Sequence, residues 1–299
     1  MMINILVCYH KAFLPIIHNE ILHPIFLGAS NADKQTLQDF KSLLNKQNIA
    51  FWRDDISIDS TTCQNISSLN PYFCELSAIY WAWKNLDSNY YGLFHYRRIF
   101  DLHNKTRKKS IEIQYNKFKN KNIENLQTQI NKYDIIISAQ YTESHGLYER
   151  YKEAHHINDL DLCINYIKEH YPYMKESLQI LYIKNGKWSV ANMFIMKKEL
   201  YFEYCEWIFD VLFAVQDKIN YKTYDTYQAR VFGFLAERLF NVWLEYKKQT
   251  SNPKIYYAPI IFLGEPKPLF GFKKTSTHKQ FYLFRQRIYK TRIKNKESK

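Results

Sequence analysis

The fold of this chain is constrained most by four short apolar segments, each typical of a buried β-strand. They lie at residues 3–8, 90–95, 134–138 and 191–196. Segments with helical spacing of apolar residues separate them, at residues 33–47, 71–85, 123–131, 148–154, 160–170, 173–184, 199–219 and 226–247. This alternation of strands and helices predicts an α/β fold with a mainly parallel central sheet.

Bulk properties limit the class of protein. A chain of 299 residues can form one large domain or two small ones. Its five cysteines are scattered without a CxxC pair, which indicates a reducing compartment and argues against a disulfide framework or a structural zinc site. No apolar run approaches the roughly 20 residues that span a bilayer, and the N-terminus lacks the basic region of a signal peptide. We therefore expect a cytoplasmic protein.

The net charge of +13 is concentrated in two segments. Residues 266–299 contribute +10 and residues 103–122 contribute +6, so the rest of the chain carries −3. Local basic patches fit attachment to an anionic membrane surface better than binding of nucleic acid, which favours positive charge spread over one face. Solvated charge without a partner is the alternative for the inner segment.

The C-terminal segment has a pattern of its own. Phe281, Phe284 and Ile288 recur at helical spacing among Lys and Arg residues, which predicts an amphipathic helix on a membrane surface. A buried helix or a disordered tail is the alternative. We therefore divide the chain into a domain of residues 1–265 and a basic segment of residues 266–299.

The strand at residues 90–95 runs directly into His95, Tyr96, Arg97 and Arg98. In an open α/β sheet, ligands bind beyond the carboxyl ends of the strands. Two adjacent guanidiniums cannot both be buried there without an anionic partner, and a diphosphate suits the fork geometry of arginine. The alternative is that one arginine pairs with a core carboxylate while the other faces solvent.

Polar residues open the predicted helix at residues 71–85. Asn70 is expected to cap this helix, and Pro71 is expected to occupy its first position. Glu75 follows within the first turns, where the helix dipole favours a carboxylate. A structural role and a catalytic role therefore both stay open for Glu75.

A His/carboxylate cluster lies at His155, His156, Asp159 and Asp161. Many nucleotide-sugar transferases use the D-x-D spacing of these two acids to hold a divalent metal on the diphosphate. Here the pattern opens a helix rather than ending a strand, which argues against such a metal site. Two further candidates, Trp188 and Asn192, flank the start of the strand at residues 191–196.

The segment at residues 225–240 is apolar yet carries several polar groups. Asp225 is expected to cap the helix there and, in a functional role, to act as a base that faces the site. Further polar side chains in the same segment are Gln228, Arg230, Glu237 and Arg238. Several of them must be paired internally if the helix is buried. Salt bridges within this set, or from it to Glu75, are the structural alternative.

Common nucleotide-binding and hydrolase motifs are absent from the sequence. Neither GxGxxG nor GxxxxGK(S/T) occurs, so dinucleotide-binding and P-loop folds have no support. HExxH and GxSxG are also absent, so the chain does not have the pattern of a common protease or esterase.

Several longer motifs together resemble one bacterial family. They are VCYHK at 7–11, RDD at 53–55, NPYFCEL at 70–76, YWAWKN at 80–85, GLFHYRR at 92–98, NMFIM at 192–196, YQAR at 227–230 and ERLF at 237–240. In these motifs the chain is similar to capsular and exopolysaccharide glycosyltransferases of a family long described only as a domain of unknown function. That family includes the galactofuranosyltransferase domain of bifunctional O-antigen polymerases. The resemblance covers roughly residues 3 to 247.

The resemblance implies a cytoplasmic glycosyltransferase with a GT-A-like nucleotide-sugar-binding core. The two basic segments, which lie outside the family's motifs, predict that the protein is peripheral at the inner face of the membrane. The resemblance also implies transfer of galactofuranose from UDP-galactofuranose, with inversion, to a glycan carried by a polyprenyl diphosphate, and no nucleic-acid partner. No tightly bound cofactor is expected. The need for Mg²⁺ or Mn²⁺ stays open, because HYRR stands where GT-A enzymes usually end a strand with D-x-D.

Roles for individual residues follow under this resemblance. The donor would contact His10, Lys11, Asn70, His95, Tyr96, Arg97 and Arg98. The first candidate for the catalytic base would be Asp225, the second Glu75 and the third Asp161. Acceptor binding or support of the site would fall to Asp54, His155, His156, Trp188, Asn192, Gln228, Arg230, Glu237 and Arg238. A metal would have Asp159 and Asp161 as its ligands.

Two other functions stay open on the sequence. A sugar-phosphate transferase of capsule assembly would keep the diphosphate site but transfer phosphorus. A non-enzymatic protein would bind a membrane or nucleic acid through its basic tail.

Overall fold

The computed structural model describes residues 1–58, 62–103, 108–119, 123–264, 270–274, 278–283 and 286–292, with the backbone alone for the last three ranges. Its α-helices are α1 (Lys34–Asn45), α2 (Asn70–Phe73), α3 (Leu76–Asn85), α4 (Leu126–Ile130), α5 (Leu147–Ala154), α6 (Ile157–His170), α7 (Lys198–Gln216) and α8 (Val231–Thr250). Its strands are β1 (Ile3–Tyr9), β2 (Leu22–Phe26), β3 (Trp52–Arg53), β4 (Tyr90–His95), β5 (Arg98–Phe100), β6 (Ser110–Gln114), β7 (Ile135–Ser138), β8 (Tyr141–Glu143), β9 (Gly186–Trp188), β10 (Phe194–Lys197), β11 (Ile255–Ala258), β12 (Ile260–Gly264), β13 (Phe270–Lys274), β14 (His278–Leu283) and β15 (Gln286–Arg292).

A ten-stranded sheet runs through the main body, with the central order β11-β7-β10-β4-β1-β2-β3. β1 pairs in parallel with β2 and β4, and β7 pairs in parallel with β11. β10 is antiparallel to both of its neighbours. β5 pairs with the end of β4, and β12 joins β5 to β6. The predicted α/β fold with a mainly parallel central sheet is confirmed.

Both faces of the sheet are covered, which explains why the central strands are apolar along their whole length. Leu6 of β1 belongs to the core that packs against α3, α6, α7 and α8. Its neighbours Ile5 and Val7 point to the opposite core, which includes residues of α1 and α4. Gly92 of β4 leaves room for β1, since a Cβ there would lie 2.8 Å from Cγ1 of Ile5.

The helix predicted at residues 71–85 is interrupted. α2 ends at Phe73, Cys74 has a left-handed backbone with φ 53°, and α3 begins two residues later. The predicted cap is wrong, because Asn70 is the first residue of α2 and its side chain bridges the break. Its Nδ2 donates to the carbonyl oxygen of Cys74 at 2.7 Å and to Oγ of Ser77 at 2.9 Å.

Other predicted elements differ in length or type. The helix expected at residues 123–131 is the five-residue α4. The helix expected at 173–184 is replaced by two 3₁₀ turns, at Pro172–Met174 and Ser177–Leu181. The strand expected from residue 191 begins at Phe194, because Ala191 and Asn192 have positive φ angles of 77° and 46°.

The C-terminal segment contains strands where a helix was predicted. β13, β14 and β15 form an antiparallel three-stranded sheet, and Phe281 and Ile288 lie in β14 and β15. Phe284 lies outside the described residues. The physical reason is a competing period, because Phe270 and Phe272, like Phe281 and Leu283, are two residues apart and suit a strand.

Among the residues that the structure describes, no helix combines the length and the apolar character needed to cross a membrane.

Candidate active site

Strand ends bring many of the predicted residues to one edge of the sheet. β1, β2 and β4 end at this edge, and β10 begins there because it runs antiparallel to β4. In the register of β1 and β4, Cys8 lies beside His95. The residues that adjoin these ends are His10, Lys11, Gly28, Tyr96, Arg97 and Asn192.

His10 lies among three positive charges. Its imidazole is exposed on one side and packs edge-on against the ring of Tyr96 on the other, with 5.3 Å between ring centroids. Partial burial lowers the pKa of His10, and the charges of Lys11, Arg97 and Arg230 lower that pKa further. The imidazole is therefore neutral at pH 7, beside a group of cations.

The cations around His10 are not neutralised by acids. Within the described part of the chain, Lys11, Arg97 and Arg230 form no salt bridge. Arg97 and Arg230 are both exposed. Three cations whose charges act on one histidine, and which have no salt-bridge partner among the described residues, favour an anionic ligand. We call Lys11, Arg97 and Arg230 the cation cluster.

The two adjacent arginines predicted to act together point to different neighbours. Arg97 lies in the turn between β4 and β5, with its guanidinium carbon 5.1 Å from the ring centroid of Tyr96 and 5.9 Å from that of Phe13. Arg98 is the first residue of β5 and lies over Phe262 of β12, at 5.7 Å. Phe262 is its partner across the strand pair. Of these two arginines, only Arg97 therefore belongs to the cation cluster.

Tyr96 and His95 connect this edge of the sheet to neighbouring segments. The buried ring of Tyr96 packs against Tyr9 and Phe13, with centroid distances of 5.6 Å and 4.9 Å. Nε2 of His95 lies 2.9 Å from the carbonyl oxygen of Ala191. His95 therefore connects the end of β4 to the residues that precede β10.

Glu75 is a carboxylate whose charge acts on Arg230 of the cation cluster. It is half-buried at the break between α2 and α3, and its charge acts on Arg230 without forming the salt bridge that the sequence left open. Oε1 of Glu75 accepts a hydrogen bond from Nδ2 of Asn192 at 2.8 Å. The same Nδ2 donates to the carbonyl oxygen of Gly233 at 3.0 Å.

Asn192 has a defined orientation and an acceptor to spare. Two acceptors face its Nδ2, so the flipped amide would set its oxygen against both of them. Its Oδ1 is buried and takes no hydrogen bond from the described residues. An unpaired buried acceptor beside Glu75 suits a ligand hydroxyl or a water molecule.

Glu237 and Arg238 form the salt bridge that the sequence predicted as one alternative. Nη1 of Arg238 donates to Oε2 of Glu237 at 2.8 Å. Oε1 of Glu237 accepts from the backbone N–H of Ala191 at 2.5 Å. The guanidinium of Arg238 lies between the rings of Tyr151 and Trp188, at 5.3 Å and 5.6 Å. These residues hold the positive-φ pair before β10 in place.

Asp225 does not cap the long helix as predicted. A 3₁₀ turn at Gln228–Arg230 intervenes, and α8 begins at Val231. Oδ1 of Asp225 instead accepts hydrogen bonds from the backbone N–H groups of Tyr227 and Gln228, at 2.8 Å and 2.9 Å. Half of this exposed carboxylate is therefore committed to the turn.

Asp54 and Asn70 contact the loop that follows β2 and stabilise it. Asp54 is fully buried and accepts hydrogen bonds from the N–H groups of Gly28 and Ala29 and from Oγ of Ser67, at 2.9, 3.0 and 2.6 Å. Gly28 has a φ of 66°, and a Cβ there would lie 2.7 Å from Oδ1 of Asn70. The loop after β2 therefore needs glycine at this position.

The histidine pair joins α5 and α6 to the turn before α8. Nδ1 of His155 is 3.0 Å from Oε1 of Gln228, and Nε2 of Gln228 donates to the carbonyl oxygen of Ala154 at 2.9 Å. The ring of His156 stacks on Tyr224 with 4.2 Å between centroids. Both histidines are thus committed to packing and hydrogen bonds.

The D-x-D acids diverge, as expected for side chains two residues apart on a helix. Asp159 is buried and accepts from Oη of Tyr224 at 3.0 Å. Asp161 accepts from Oη of Tyr148 at 2.9 Å. The described residues contain no group of three or more His, Cys, Asp or Glu side chains placed to hold a metal ion. The D-x-D pattern therefore does not form the predicted pair of ligands.

Cys74 is a site residue that the sequence analysis did not single out. Nε of Arg230 donates to its Sγ at 3.3 Å. Burial, and then the charge of Glu75, raise the pKa of Cys74 to about 11, so the thiol is neutral at pH 7. Gly233 of α8 crosses close by, since a Cβ there would lie 3.3 Å from Sγ of Cys74. The position of Cys74 within the NPYFCEL motif was the one available signal.

An open cavity of about 630 Å³ adjoins the cation cluster at Phe13. Its lining consists of Ala12, Phe13, Leu14, Asp39, Ser42, Leu43, Lys46 and Tyr115. The rings of Phe13 and Tyr115 meet edge-on, with 5.8 Å between centroids.

Comparison with known proteins agrees with this architecture. The apo structure of the bifunctional glycosyltransferase WbbM is similar over 93% of the chain, with a TM-score of 0.74 and 24% sequence identity. The chain spans about half of that protein, covering 48% of its length. Among curated proteins, none matches this sequence.

The sequence profile of one family, described as a domain of unknown function (DUF4422), matches residues 4–249. This range holds all the candidate site residues, and it confirms the resemblance drawn from the motifs. The chain is a member of the DUF4422 family.

Proposed function

We propose that this protein is a glycosyltransferase that binds a nucleotide-sugar donor at the carboxyl edge of its sheet. The observation that carries the proposal is the set of three cations whose charges act on His10, one of which, Arg230, bonds to Cys74, the residue before Glu75. A diphosphate requires positive charge, and an acceptor hydroxyl requires a carboxylate to take its proton. Similarity of fold to the bifunctional glycosyltransferase WbbM supports the same reading.

Lys11, Arg97 and Arg230 are the groups we assign to the donor diphosphate. Charge develops on the leaving nucleoside diphosphate as the bond to the sugar breaks, and fixed cations stabilise that charge. Because none of the three forms a salt bridge within the described residues, their side chains can pair with the diphosphate, and Glu75 is the acid whose charge acts on Arg230.

The cavity beside Phe13 is the place we assign to the nucleoside. Its aromatic walls, Phe13 and Tyr115, suit a planar base, and its polar groups, Asp39, Ser42 and Lys46, suit hydrogen bonds to that base. The ring of Phe13 also faces Arg97, so a base in this cavity would lie next to the diphosphate.

Glu75 is our assignment for the catalytic base, in place of Asp225. One oxygen of Asp225 already accepts two backbone N–H groups, and Asp161 accepts from Tyr148. Glu75 has one side-chain donor, Asn192, which leaves its other oxygen open to an acceptor hydroxyl. Such a base contributes about 10²–10⁴-fold to the rate.

The finer function we propose follows the resemblance in the motifs. The donor is UDP-galactofuranose, the reaction inverts the anomeric centre in a single displacement, and the acceptor is a glycan on a polyprenyl diphosphate. The protein acts in capsule, O-antigen or exopolysaccharide synthesis, at the cytoplasmic face of the membrane.

The test is incubation of the protein with a panel of UDP-sugars, including furanoses formed in situ by a mutase, and a synthetic lipid-linked acceptor. We expect one donor to yield a product heavier by one sugar residue, with kcat for Glu75→Gln lower by about 10²–10⁴-fold. Glu149→Gln, an exposed glutamate on α5, is the matched control and should keep the wild-type rate.

Two results would contradict the proposal. A product that gains a phosphate together with the sugar would identify a sugar-phosphate transferase. A Glu75→Gln enzyme with wild-type turnover would remove Glu75 as the base, whatever the donor.

A further inference from the structure

A large aromatic ring stands exposed beside the proposed site. Tyr227 is 55% exposed and directly precedes the 3₁₀ turn at Gln228–Arg230 that leads into α8. Its ring packs on Phe234 and His155, with centroid distances of 5.1 Å and 5.9 Å. One face of the ring is thus supported by protein, while much of the side chain is open to solvent.

The turn that carries Tyr227 is held from both sides. Oδ1 of Asp225 binds the backbone N–H of Tyr227 at 2.8 Å. The side chain of Gln228 bonds to His155 and to the carbonyl oxygen of Ala154, at 3.0 Å and 2.9 Å. The backbone that carries the ring is therefore held in place, and Phe234 and His155 support the ring itself, which lowers the entropy lost when a ligand binds to it.

A chain of contacts leads from this ring to the proposed base. The guanidinium carbon of Arg230 lies 5.5 Å from the ring centroid of Phe234, on which Tyr227 packs. Nε of Arg230 donates to Cys74, the residue before Glu75. These contacts connect Tyr227 to Arg230 through Phe234, and Arg230 to the residue before Glu75.

We propose that Tyr227 is the stacking platform of the acceptor subsite, and that its ligand is a saccharide ring. The inference rests on the proposed function, which places the reacting hydroxyl at Glu75. A sugar has an apolar face of C–H groups, which suits an aromatic ring, and a rim of hydroxyls, which requires polar partners. Oδ2 of Asp225, which takes no hydrogen bond from the described residues, supplies an acceptor.

This arrangement gives the exposed carboxylate of Asp225 a role other than catalysis. Its first oxygen holds the turn and its second binds a hydroxyl of the saccharide. The aromatic ring sets the plane in which the sugar ring lies, and the carboxylate sets the rotation of the sugar within that plane. Together they determine which hydroxyl reaches Glu75.

The experiment measures affinities on the full chain by ligand-observed NMR. The probes are methyl β-D-galactopyranoside, methyl β-D-glucopyranoside and methyl β-D-galactofuranoside, with UDP as the probe for the donor site. We expect Tyr227→Ala to weaken the best glycoside by about tenfold, as the loss of one aromatic contact implies. Tyr227→Phe, which keeps the ring, should bind that glycoside as the wild type does.

Tyr173→Ala provides the matched control. Tyr173 is 61% exposed and its ring also packs on another aromatic ring, that of Tyr246. Tyr246 lies in the last turns of α8, whereas Tyr227 precedes the first residue of that helix. This variant should leave both glycoside and UDP affinities at their wild-type values.

The outcomes separate this inference from the proposed function. If Tyr227→Ala binds glycosides as the wild type does, or if the wild type binds none of them, the acceptor platform is overturned while UDP binding still supports the donor site. If Tyr227→Ala weakens UDP and glycosides by the same factor, the ring belongs to the donor site and the inference is also overturned. A wild type that binds a glycoside through Tyr227 but does not bind UDP counts against the proposed donor site alone.

Discussion

At the scale of single residues, chemical type does not determine role in this protein. Arg97 and Arg98 are neighbours of the same type and both are exposed, yet only Arg97 acts on His10. The two-residue turn between β4 and β5 turns Arg97 towards Tyr96 and Phe13, while strand pairing sets Arg98 against Phe262. Position within the turn therefore decides which guanidinium can meet a ligand.

We expect the two arginines to respond differently to truncation. Arg97→Ala should lower kcat/KM on the order of 10²-fold, because one fixed donor to the leaving group is lost. Arg98→Ala is the matched control and should lower it by less than about threefold, since its contact is with Phe262. Steady-state kinetics with the donor identified in the panel measures both. Equal losses of kcat/KM in the two variants would instead support the prediction that both arginines bind the diphosphate.

Asp159 carries a residue-scale prediction on pH. Burial raises the pKa of this carboxyl, and the hydrogen bond from Tyr224 opposes the shift only in part. The unfolded chain then loses this proton at lower pH than the folded protein, so the group destabilises the fold as pH rises. Asp159→Asn keeps an acceptor for Tyr224 and removes the charge. Its gain in free energy of unfolding over the wild type should grow as the pH rises above about 4, where the unfolded chain loses the proton, and should level off above the raised pKa of the folded state. Denaturant titrations that give a constant difference would contradict this.

At the scale of elements, the junctions between helices and strands create the site. The break at Cys74 ends α2 and lets Glu75 sit between α2 and α3, where Asn192 can reach it. The positive-φ pair Ala191 and Asn192 delays the start of β10. A continuous helix and a longer strand, as the sequence patterns predicted, would not bring these two side chains together in this way.

Asp54 tests how the junction after β2 is held. Asp54→Ala should lower the free energy of unfolding by about 3 kcal/mol, because three donors lose a buried, charged acceptor. Asp39→Ala on α1 removes an exposed carboxylate that accepts from Gln35, and should change stability by less than about 0.5 kcal/mol. Equilibrium urea unfolding measures both variants. A loss for Asp54→Ala no larger than that of the control would show that the junction does not depend on this carboxylate.

At the scale of the whole molecule, one sheet carries the site and a second sheet carries the basic tail. Among the described strands, β13, β14 and β15 pair only with one another. The candidate site residues all lie within the family match at residues 4–249. The basic C-terminal segment lies outside the family match, and we retain membrane attachment as its proposed role.

Deletion of residues 266–299 tests that role. The shortened protein should transfer sugar to a water-soluble acceptor at a rate within about threefold of the full chain, and should lose binding to vesicles with anionic lipids. Vesicles of neutral lipid are the control and should bind neither form. A thermal unfolding curve with one transition would confirm that the body remains folded. Undiminished binding to anionic vesicles would assign the membrane contact to another part of the chain.

The sequence alone determined the fold class and the family, and it predicted the edge of the sheet where the candidate site residues lie. These depend on local patterns, because a buried strand needs an apolar run and its end places the next residues at the sheet edge. The salt bridge between Glu237 and Arg238 was also within reach, since the two residues are adjacent and one face of their helix is apolar.

Only the tertiary structure decided which polar residues meet. Asn192 contacts Glu75 across 117 positions, and Arg230 contacts Cys74 across 156, so no window of sequence contains either pair. The helix break at Cys74 and the strands of the C-terminal segment were missed for a related reason. Local periodicity there is compatible with more than one structure, and packing against distant residues selects between them.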